Sequence, residues 1–428
     1  MKMKQHEFIV MVGGKSGVGK TSLVDALIRL YPTTYARPVS YTSRPRRALE
    51  GDGEYVFSTK EEMDRMREDG EFLNFDCVYG HYYAMATSSI SKIILDGRIP
   101  IKEIHPSNHS KIKAVLASSI SVLVKGHPNE RYDRQGADND YYKNIDESEF
   151  DIVFVNDMSI SIEQNAYYLN QRLASYDKYK KRFPPTGEID SKNQAGYSLI
   201  ADEFTEEKRV TTHNFHMLSI DFFQGIINRF PKNEPSILEI GPGQGWLRKT
   251  CLWPSIKYDI VELTREMAGH NMADNTIIAS VANMPIPSHT YDVVLSSLGD
   301  PYFYPAALCE ICRVLKPGGL FAFSLPSDQW ARALRGDADE TTTFISESGQ
   351  AAQTYSFVFP REELENLLID CGFEIIQLDS LKGSVITKTK EPISPALTKA
   401  AENCGVSLEA LDIVTVCLCK KRTVQHEQ

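Results

Sequence analysis

The sequence predicts an α/β protein of two domains, each built on a mainly parallel sheet. Three observations support this prediction. The chain has 428 residues, more than the roughly 100 to 200 of a typical domain. Short β-branched runs alternate with longer helical stretches, as expected where crossover helices join parallel strands. A glycine-rich turn follows a short apolar run twice, at residues 14–21 and 241–245, so each domain has its own candidate ligand loop.

The predicted strands fall into two series along the chain. The first series is 8–12, 99–104, 120–124 and 151–155, and the second is 237–240, 259–262, 292–296, 320–324, 374–378 and 414–419. Between them, residues 178–196 are rich in Lys, Pro, Gly, Asn and Ser, a composition typical of an exposed connection. We therefore predict domains at 1–176 and 206–428, with a linker over 177–205.

Composition limits the class of protein. Hydrophobic residues make up 42% and charged residues 24% of the chain, which is ordinary for a folded protein. A formal net charge of -10 disfavours nucleic acid as a partner. No stretch approaches the roughly 20 apolar residues of a membrane span, and eight cysteines without a secretory signal indicate reduced thiols and a cytoplasmic location. The oligomeric state does not follow from the sequence.

Two of these cysteines, Cys309 and Cys312, have C-x-x-C spacing. Both lie in an apolar helical pattern, and no second pair of metal ligands stands nearby in the sequence. We therefore expect them to be packed in a core rather than to bind metal or exchange disulfides.

Residues 14–21 read GKSGVGKT and have the phosphate-loop pattern G-x-x-x-x-G-K-S/T, between a strand and an amphipathic helix. Such a loop wraps phosphate oxygens with backbone N–H groups at a helix N-terminus. Lysine in this pattern reaches the β and γ phosphates, and the hydroxyl residue faces Mg²⁺. The alternative, an incidental glycine turn, is disfavoured because strand, loop and helix agree. The predicted ATP-binding residues are Gly14, Gly17, Gly19, Lys20, Thr21 and Ser22, with Lys20 also catalytic and Thr21 also a metal ligand.

Residues 40–55 read SYTSRPRRALEGDGEY and resemble the GMP-binding segment of guanylate kinases. The resemblance continues at 70–73, 80–83 and 150–157, and so covers most of 8–176. It implies a P-loop NTPase fold and an acceptor site whose phosphate is held by arginine forks and tyrosine hydroxyls. The acceptor residues implied are Ser40, Arg44, Arg47, Glu50, Tyr55 and Tyr83, of which Arg44 and Arg47 are also predicted to be catalytic.

The same resemblance implies further roles. Asn156 would lie near the adenine of ATP, and Glu103 would support Mg²⁺ and the acceptor. Arg131 and Arg134 resemble lid arginines that neutralise the transferred phosphoryl group. The lid helix after residue 138 is shorter than in that family. A shorter lid would place fewer charges at the transferred phosphoryl group, so an alternative is that this domain binds a nucleotide or another phospholigand without turnover.

Three positions depart from guanylate kinases. Asn74 stands where that family has Glu, His105 where it has Asp, and Met85 where Ser or Thr is usual. An amide and an imidazole offer a different set of donors and acceptors, and a buried mismatch excludes a substrate by orders of magnitude. We therefore predict that Asn74 and His105 contact the base of a nucleoside-monophosphate-like acceptor other than GMP.

In the second half, residues 237–245 read ILEIGPGQG, and Glu262 closes the next predicted strand. Glycines and an acid at neighbouring strand ends can hold a ribose-bearing cofactor, in a dinucleotide-dependent oxidoreductase as well as in a methyltransferase. Residues 291–298, 313–321 and 371–374 resemble motifs of class I S-adenosylmethionine-dependent methyltransferases, and the resemblance spans roughly 205–420. It implies a Rossmann-like sheet.

By this resemblance, the S-adenosylmethionine site consists of Glu239, Gly241, Gly243 and Gly245 near the methionine part, Glu262 at the ribose and Ser280 near the adenine. Asp300, Tyr302 and Tyr304 follow the fourth strand, where acceptors bind, and Asp300 is the candidate catalytic group; the alternative is that the three only pack. The whole sequence predicts a bifunctional enzyme that phosphorylates and methylates small molecules, most simply one nucleotide-like metabolite. The alternative is an active methyltransferase whose kinase-like domain serves as a binding module.

Overall fold

A computed structural model describes residues 8–46, 55–78, 80–126, 145–205, 208–229, 235–251, 253, 256–269, 271–336, 340–389 and 391–423. The chain divides into two compact units, Met1–Asn170 and Gln171–Gln428. Each is α/β, which confirms the predicted fold class.

The first unit contains a five-stranded parallel sheet. Its strands are β1 (Val10–Gly14), β2 (Tyr35–Ala36), β7 (Ile99–Glu103), β8 (Ile120–Gly126) and β9 (Ile152–Asn156). They lie in the order β2-β7-β1-β8-β9, and every residue of β1 is buried, as expected for a strand covered on both faces. The helices are α1 (Lys20–Leu30), α2 (Lys60–Glu68), α3 (Thr87–Leu95), α4 (His109–Val115) and α5 (Ile162–Tyr179), the last of which continues past residue 170.

A smaller four-stranded sheet in this unit was not predicted. Its strands are β3 (Ser40–Thr42), β4 (Tyr55–Phe57), β5 (Phe72–Val78) and β6 (His81–Ala86), in the order β4-β3-β6-β5. Met85 pairs with Asn74, and Tyr83 pairs with Asp76, across β5 and β6. Because alternate residues of a strand share a face, these four side chains lie on one face of the sheet.

The second unit contains a seven-stranded sheet. Its strands are β10 (Ser236–Ile240), β11 (Lys257–Glu262), β12 (Asn275–Ile278), β13 (Tyr291–Ser296), β14 (Leu315–Pro326), β17 (Phe373–Lys382) and β18 (Asp412–Lys421). They lie in the order β12-β11-β10-β13-β14-β18-β17, and β18 is antiparallel to both of its neighbours. All the predicted strands of both series are present, with ends shifted by a few residues.

Helices and a hairpin complete this unit. The helices are α6 (Thr186–Ile200), α7 (Val210–Ile227), α8 (Trp246–Thr250), α9 (Arg265–Ala268), α10 (Pro305–Val314), α11 (Asp328–Arg335), α12 (Arg361–Asp370) and α13 (Pro395–Cys404), and the hairpin is β15 (Thr341–Ile345) with β16 (Ala351–Tyr355). Short 3₁₀ helices in the two units are Pro106–Asn108, Glu147–Glu149, Ala201–Glu203, Asp300–Tyr302 and Ile386–Lys388.

The structure differs from the predicted exposed linker at 177–205. Residues from 171 onward belong to the second unit, and α6 buries Ile189, Asn193, Gly196 and Ile200 on one face. Asn193 donates a hydrogen bond to the Pro301 carbonyl oxygen at 3.2 Å. The buried positions have helical spacing, but Asn and Gly occupy two of them, so composition alone suggested exposure.

Two other predictions concern the C-x-x-C cysteines and membrane-spanning helices. Cys309 and Cys312 are buried in the core beneath the seven-stranded sheet, as predicted. Within the described residues, no helix has the length and apolar character needed to cross a membrane.

Candidate active sites

A glycine-rich loop joins β1 to α1. Gly14, Gly17 and Gly19 have φ angles of 146°, 87° and 86°, which residues with a Cβ rarely adopt. At Gly14 a Cβ would lie 2.3 Å from the carbonyl oxygen of Val124. The helix α1 begins at Lys20, and among the described residues no side chain caps it. Its first N–H groups are therefore available to an anion.

The side chain of Lys20 lies over this loop. Its Nζ donates hydrogen bonds to the carbonyl oxygens of Gly14 and Lys15, at 2.6 and 2.8 Å. Thr21 and Ser22 follow on the first turn of α1, and both are exposed. A cation and two accessible hydroxyls thus stand at the helix N-terminus, which is the chemistry that a polyphosphate and its metal ion require.

Asn156, at the end of β9, contacts the same loop. Its Nδ2 donates a hydrogen bond to the Val18 carbonyl oxygen at 2.8 Å, and a Cβ at Gly19 would lie 2.5 Å from that Nδ2. Its Oδ1 is buried and has no hydrogen-bond partner in the described part of the chain. The structure therefore places Asn156 against the loop, with one acceptor left for a ligand.

Beside β5, β6 and β7 lies a cavity of about 470 Å³, here called the polar cavity. Six predicted acceptor residues line it together: Ser40, Tyr55, Asn74, Tyr83, Glu103 and His105. Buried Arg44 stands behind them, with its guanidinium carbon 5.2 Å from the centroid of the Tyr55 ring. The predicted residues Arg47, Glu50, Arg131 and Arg134 lie outside the described residues.

Other polar side chains line the same cavity and were missed from the sequence. Lys102 is 9% exposed, and its Nζ lies 5.2 Å from the centroid of the Tyr55 ring. A lysine inside an otherwise apolar strand run could have signalled this site. Asp76, Asn108 and Lys111 also line the cavity. It therefore combines cations, hydroxyls, amides and two carboxylates, as a phosphorylated polar ligand would need.

Two of the predicted residues have protein partners of their own. Arg37 donates hydrogen bonds from Nη2 to Glu103 Oε1 and from Nη1 to Asp25 Oδ1, both at 2.8 Å. Burial raises the pKa of Glu103 above its ordinary value, although Arg37 opposes this. His105 Nδ1 lies 2.7 Å from Ser107 Oγ, at the start of the 3₁₀ helix Pro106–Asn108. Glu103 would therefore have to loosen an ion pair to help hold a metal ion.

In the second unit, the turn after β10 opens onto a cavity of about 360 Å³, here called the glycine-lined cavity. Gly241 and Gly243 line it with φ angles of 59° and 56°. A Cβ at Gly241 would lie 2.3 Å from Cε2 of Tyr302, which lines the same cavity. The backbone here is therefore compatible only with glycine, which leaves room for a close-fitting ligand.

Glu262 lies at the end of β11 and lines the glycine-lined cavity. Burial raises the pKa of its carboxyl to about 7, while hydrogen bonds from the backbone of Leu263, Gly243 and Thr264 act in the opposite direction. An acidic group held this way at the edge of two parallel strands suits a pair of ribose hydroxyls.

Three other predicted residues lie outside the lining of this cavity. Glu239 is buried beneath the turn and accepts a hydrogen bond from the Tyr258 hydroxyl; burial, with a smaller effect of Glu262, raises the pKa of Glu239 to about 8. At Gly245 a Cβ would lie 2.6 Å from Asn271 Oδ1. Ser280 Oγ accepts a hydrogen bond from the Ala282 N–H at 3.2 Å.

His216, on α7, is a lining residue that the sequence did not reveal. Its ring stacks on Trp246 with the centroids 4.2 Å apart and the planes at 15°. Burial lowers the pKa of His216 to about 3, so the ring is neutral near pH 7. Its Nδ1 is buried and has no hydrogen-bond partner among the described residues. One polar atom in this stacked pair is thus available to a ligand.

A second cavity of about 480 Å³, here called the adjoining chamber, shares part of its lining with the glycine-lined cavity. The shared residues are Tyr197, Phe204, Arg209, Thr212 and Leu298. Phe215, Trp330 and Phe344 give the chamber an aromatic wall. Phe215 and Trp330 meet edge to face, with centroids 4.8 Å apart. The chamber therefore suits a planar or partly apolar ligand.

Asp300 lines this chamber. Burial raises the pKa of its carboxyl to about 6, although a hydrogen bond from Ser356 and the charge of Arg335 oppose the shift. The other two predicted residues after β13 lie in different places. Tyr302 lines the glycine-lined cavity. Tyr304 lies in the core, and its hydroxyl donates a hydrogen bond to Asp190 Oδ1 at 3.2 Å. Of the three, Asp300 alone combines a chamber position with proton-transfer chemistry.

Leu298 stands where the two cavities meet. Its φ is 56°, a left-handed conformation that is costly for a residue with a Cβ. Its N–H donates a hydrogen bond to Ser324 Oγ at 3.0 Å, which helps to hold it there. Strain of this kind clusters at ligand sites.

Comparison with known proteins gives separate matches for the two halves. The guanylate kinase family model matches residues 5–170, and a methyltransferase domain model matches residues 238–323. The guanylate kinase of Methylococcus capsulatus is 32% identical over 117 residues, which are 27% of this chain and 57% of that protein. The chain spans from 30% to 60% of the length of the curated guanylate kinases it matches.

Two solved structures also give partial matches. A guanylate kinase from Anaplasma phagocytophilum matches with a TM-score of 0.32 and 20% identity, over 43% of this chain and 99% of that one. An S-adenosylmethionine-dependent methyltransferase from Clostridium acetobutylicum matches with a TM-score of 0.34 and 12% identity, over 48% of this chain and 92% of that one.

Proposed function

We propose that this chain, which joins a guanylate kinase-like domain to a class I methyltransferase domain, is a bifunctional enzyme. It would transfer a phosphoryl group from ATP to a nucleoside-monophosphate-like acceptor other than GMP, and a methyl group from S-adenosylmethionine to a small molecule. The observation that best supports this proposal is that each unit combines a glycine loop at a strand end with a neighbouring cavity lined by polar groups. One nucleotide-like metabolite serving both steps is the simplest reading of two active domains on one chain.

The phosphoryl-transfer proposal assigns a task to each group of the first loop. The first N–H groups of α1, which no side chain of the described residues caps, would hold phosphate oxygens, with Lys20 adding a positive charge beside them. Thr21 would give its hydroxyl to Mg²⁺. Asn156 Oδ1, which has no hydrogen-bond partner within the described ranges, would accept a hydrogen bond from the nucleotide. Lys102, which lines the polar cavity, and Arg44, which lies behind it, are buried and add positive charge around Tyr55. This favours a phosphorylated acceptor.

An acceptor other than GMP is supported by the groups that face the base. Met85 pairs with Asn74 across the ladder and offers no polar hydrogen, and the Nδ1 of His105 is engaged with Ser107. The keto oxygen of guanine would therefore find no hydrogen-bond donor at Met85 or at His105 Nδ1, and such a loss discriminates by orders of magnitude.

The methyl-transfer proposal gives separate tasks to the two cavities of the second unit. Bound S-adenosylmethionine supplies an electrophilic methyl group. Glu262 and the neutral ring of His216 would hold and orient the ligand of the glycine-lined cavity. The aromatic residues of the adjoining chamber would exclude water. Asp300 would accept the proton that the acceptor's N–H or O–H group loses as the new bond to carbon forms.

This role of Asp300 predicts a pH dependence. Burial raises the pKa of its carboxyl to about 6, so the group is protonated below that pH and ionised above it. We expect the methylation rate to rise with pH and to level off above about 6. Asp300→Asn should lower the rate by roughly 10²-fold and remove this limb of the profile, because general base catalysis contributes about 10²- to 10⁴-fold. The exposed Asp379→Asn is the control. An unchanged profile in Asp300→Asn would leave Asp300 with a packing role only.

A second candidate function is a methyltransferase whose kinase-like domain only binds a nucleotide or phospholigand. The ion pair between Glu103 and Arg37 favours it, because it occupies the carboxylate that would support the metal ion. The shortened lid points the same way, whereas the complete phosphate loop opposes it.

The proposed function is tested with the full-length chain. The chain is incubated with ATP, Mg²⁺ and S-adenosylmethionine in the presence of one nucleoside monophosphate from a panel at a time. The masses of the products are measured by mass spectrometry. We expect at least one compound to gain a phosphoryl group and the same compound to gain a methyl group. Methylation without any phosphoryl transfer would favour the binding-module alternative, and transfers to unrelated compounds would exclude a shared metabolite.

The proposed ligands are small molecules, since a net charge of -10 opposes a nucleic acid backbone. We also propose a cytoplasmic location, which would keep the free cysteines reduced.

A further inference from the structure

The polar cavity contains a carboxylate that the proposed function has not used. Asp76 lies on β5 two residues after Asn74, so the two side chains share the face that lines the cavity. Asp76 Oδ2 accepts one hydrogen bond from Asn74 Nδ2 at 3.0 Å and another from Asn108 Nδ2 at 2.8 Å. Both amides therefore turn their NH₂ groups towards this carboxylate.

The orientation of the two amides determines which hydrogen-bonding atoms of the cavity are available to a ligand. Asn108 Oδ1 accepts a hydrogen bond from Lys111 Nζ at 3.1 Å. Asn74 Oδ1 is buried and has no hydrogen-bond partner among the described residues. Carboxylate oxygens accept more than one hydrogen bond and donate none. Asn74 and Asp76 together thus present acceptors to the cavity, although an amide alone could present either kind of group.

We propose that Asp76 determines the specificity of the polar cavity by fixing Asn74 as an acceptor and by accepting a hydrogen bond itself. The ligand class is a nucleoside monophosphate whose base carries an exocyclic amino group directed at this pair; the proposal rests on the proposed function in taking a nucleotide-like acceptor. An amino group supplies two hydrogens to two acceptors. A keto oxygen at that position would face acceptors only, and the lost hydrogen bonds would exclude it.

The test uses the full-length chain and pairs of ligands that differ at one amino group. By calorimetry, we would measure the affinities of GMP against IMP, AMP against purine riboside monophosphate, and CMP against UMP. We expect the amino-bearing member of at least one pair to bind at least about tenfold more tightly, and Asp76→Asn to reduce that ratio below about threefold. Equal affinities in every pair, no binding by any compound, or a preference that survives Asp76→Asn would overturn the proposal.

Two further variants keep the test decisive. Asp96→Asn changes an exposed aspartate after α3 and should leave the amino preference intact. If Asp76→Asn does not fold, as judged by thermal unfolding and ATP binding, Asn74→Ala removes the second acceptor and should abolish the same preference; a preserved preference would overturn the proposal.

The affinities are measured without ATP or turnover. An amino preference without phosphoryl transfer would therefore contradict the proposed function alone. Phosphorylation of keto compounds with no amino preference would contradict this inference alone.

Discussion

Lys20→Ala should abolish most phosphoryl transfer while leaving methylation of an independent acceptor unchanged. Lys20 Nζ lies within 2.8 Å of two loop carbonyl oxygens and is one of the two lysine charges of residues 14–21, the other being Lys15. Removing one charge that stabilises a transferring phosphoryl group costs about 10²- to 10³-fold in turnover. We expect a loss of at least roughly 10²-fold, measured as ADP formed per enzyme in the presence of the best acceptor from the panel.

The control is Lys92→Ala, which removes an exposed lysine from α3 and should leave turnover unchanged. Thermal unfolding of both variants checks that each is folded. If ATP consumption survives Lys20→Ala unchanged, the glycine loop is not the site of turnover and the binding-module alternative gains support.

Gly241→Ala should weaken S-adenosylmethionine binding by at least about tenfold. The φ of Gly241 is 59°, and left-handed backbone costs a residue with a Cβ about 1 to 2 kcal/mol. The new Cβ would lie 2.3 Å from Cε2 of Tyr302, so either the turn or the tyrosine must move. Because about 1.4 kcal/mol corresponds to a tenfold change in affinity, strain and displacement together support this magnitude. Calorimetry with S-adenosylmethionine measures it.

The matched control is Gly225→Ala. Gly225 lies in α7, and beyond its neighbours and the backbone of its own helix no described atom lies within 4 Å of an added Cβ. Alanine stabilises a helix interior by about 0.5 to 1 kcal/mol relative to glycine. We expect a higher midpoint of thermal unfolding and unchanged binding. Equal affinities for the two variants would contradict the placement of the cofactor beside Gly241. A thermal unfolding profile of Gly241→Ala that keeps every transition of the unmodified chain above the assay temperature excludes unfolding of the second unit as the cause of a loss.

The glycine loops and the strands that lead to them could be predicted from sequence because their patterns are local. A buried run followed by glycines and a helix requires only neighbouring residues, and both loops form as expected. Asn74 and His105, which the sequence predicts to contact a base, line the same cavity. Their hydrogen-bonding state was not predictable, since it depends on Asp76 and Ser107.

Side chains contributed by distant segments could not be found in this way. His216, Tyr197 and Phe344 reach the cavities of the second unit from α7, α6 and β15. Helical or alternating patterns place such residues on an element but do not show which other element it meets. Glu239 illustrates the converse case, because its motif suggested a ligand contact and its strand instead directs it into the core beside Tyr258.

The segment from Phe183 to the end of α6 determines where the second unit can be cut. Phe183 and Ile189 belong to the same hydrophobic cluster as Phe357 and Leu308, and Tyr197 lines both cavities. A recombinant fragment that starts at residue 206 would lose these side chains, uncover apolar core surface and open the ligand chamber to water. Dissection of the protein for separate assays should therefore begin the methyltransferase fragment near residue 171.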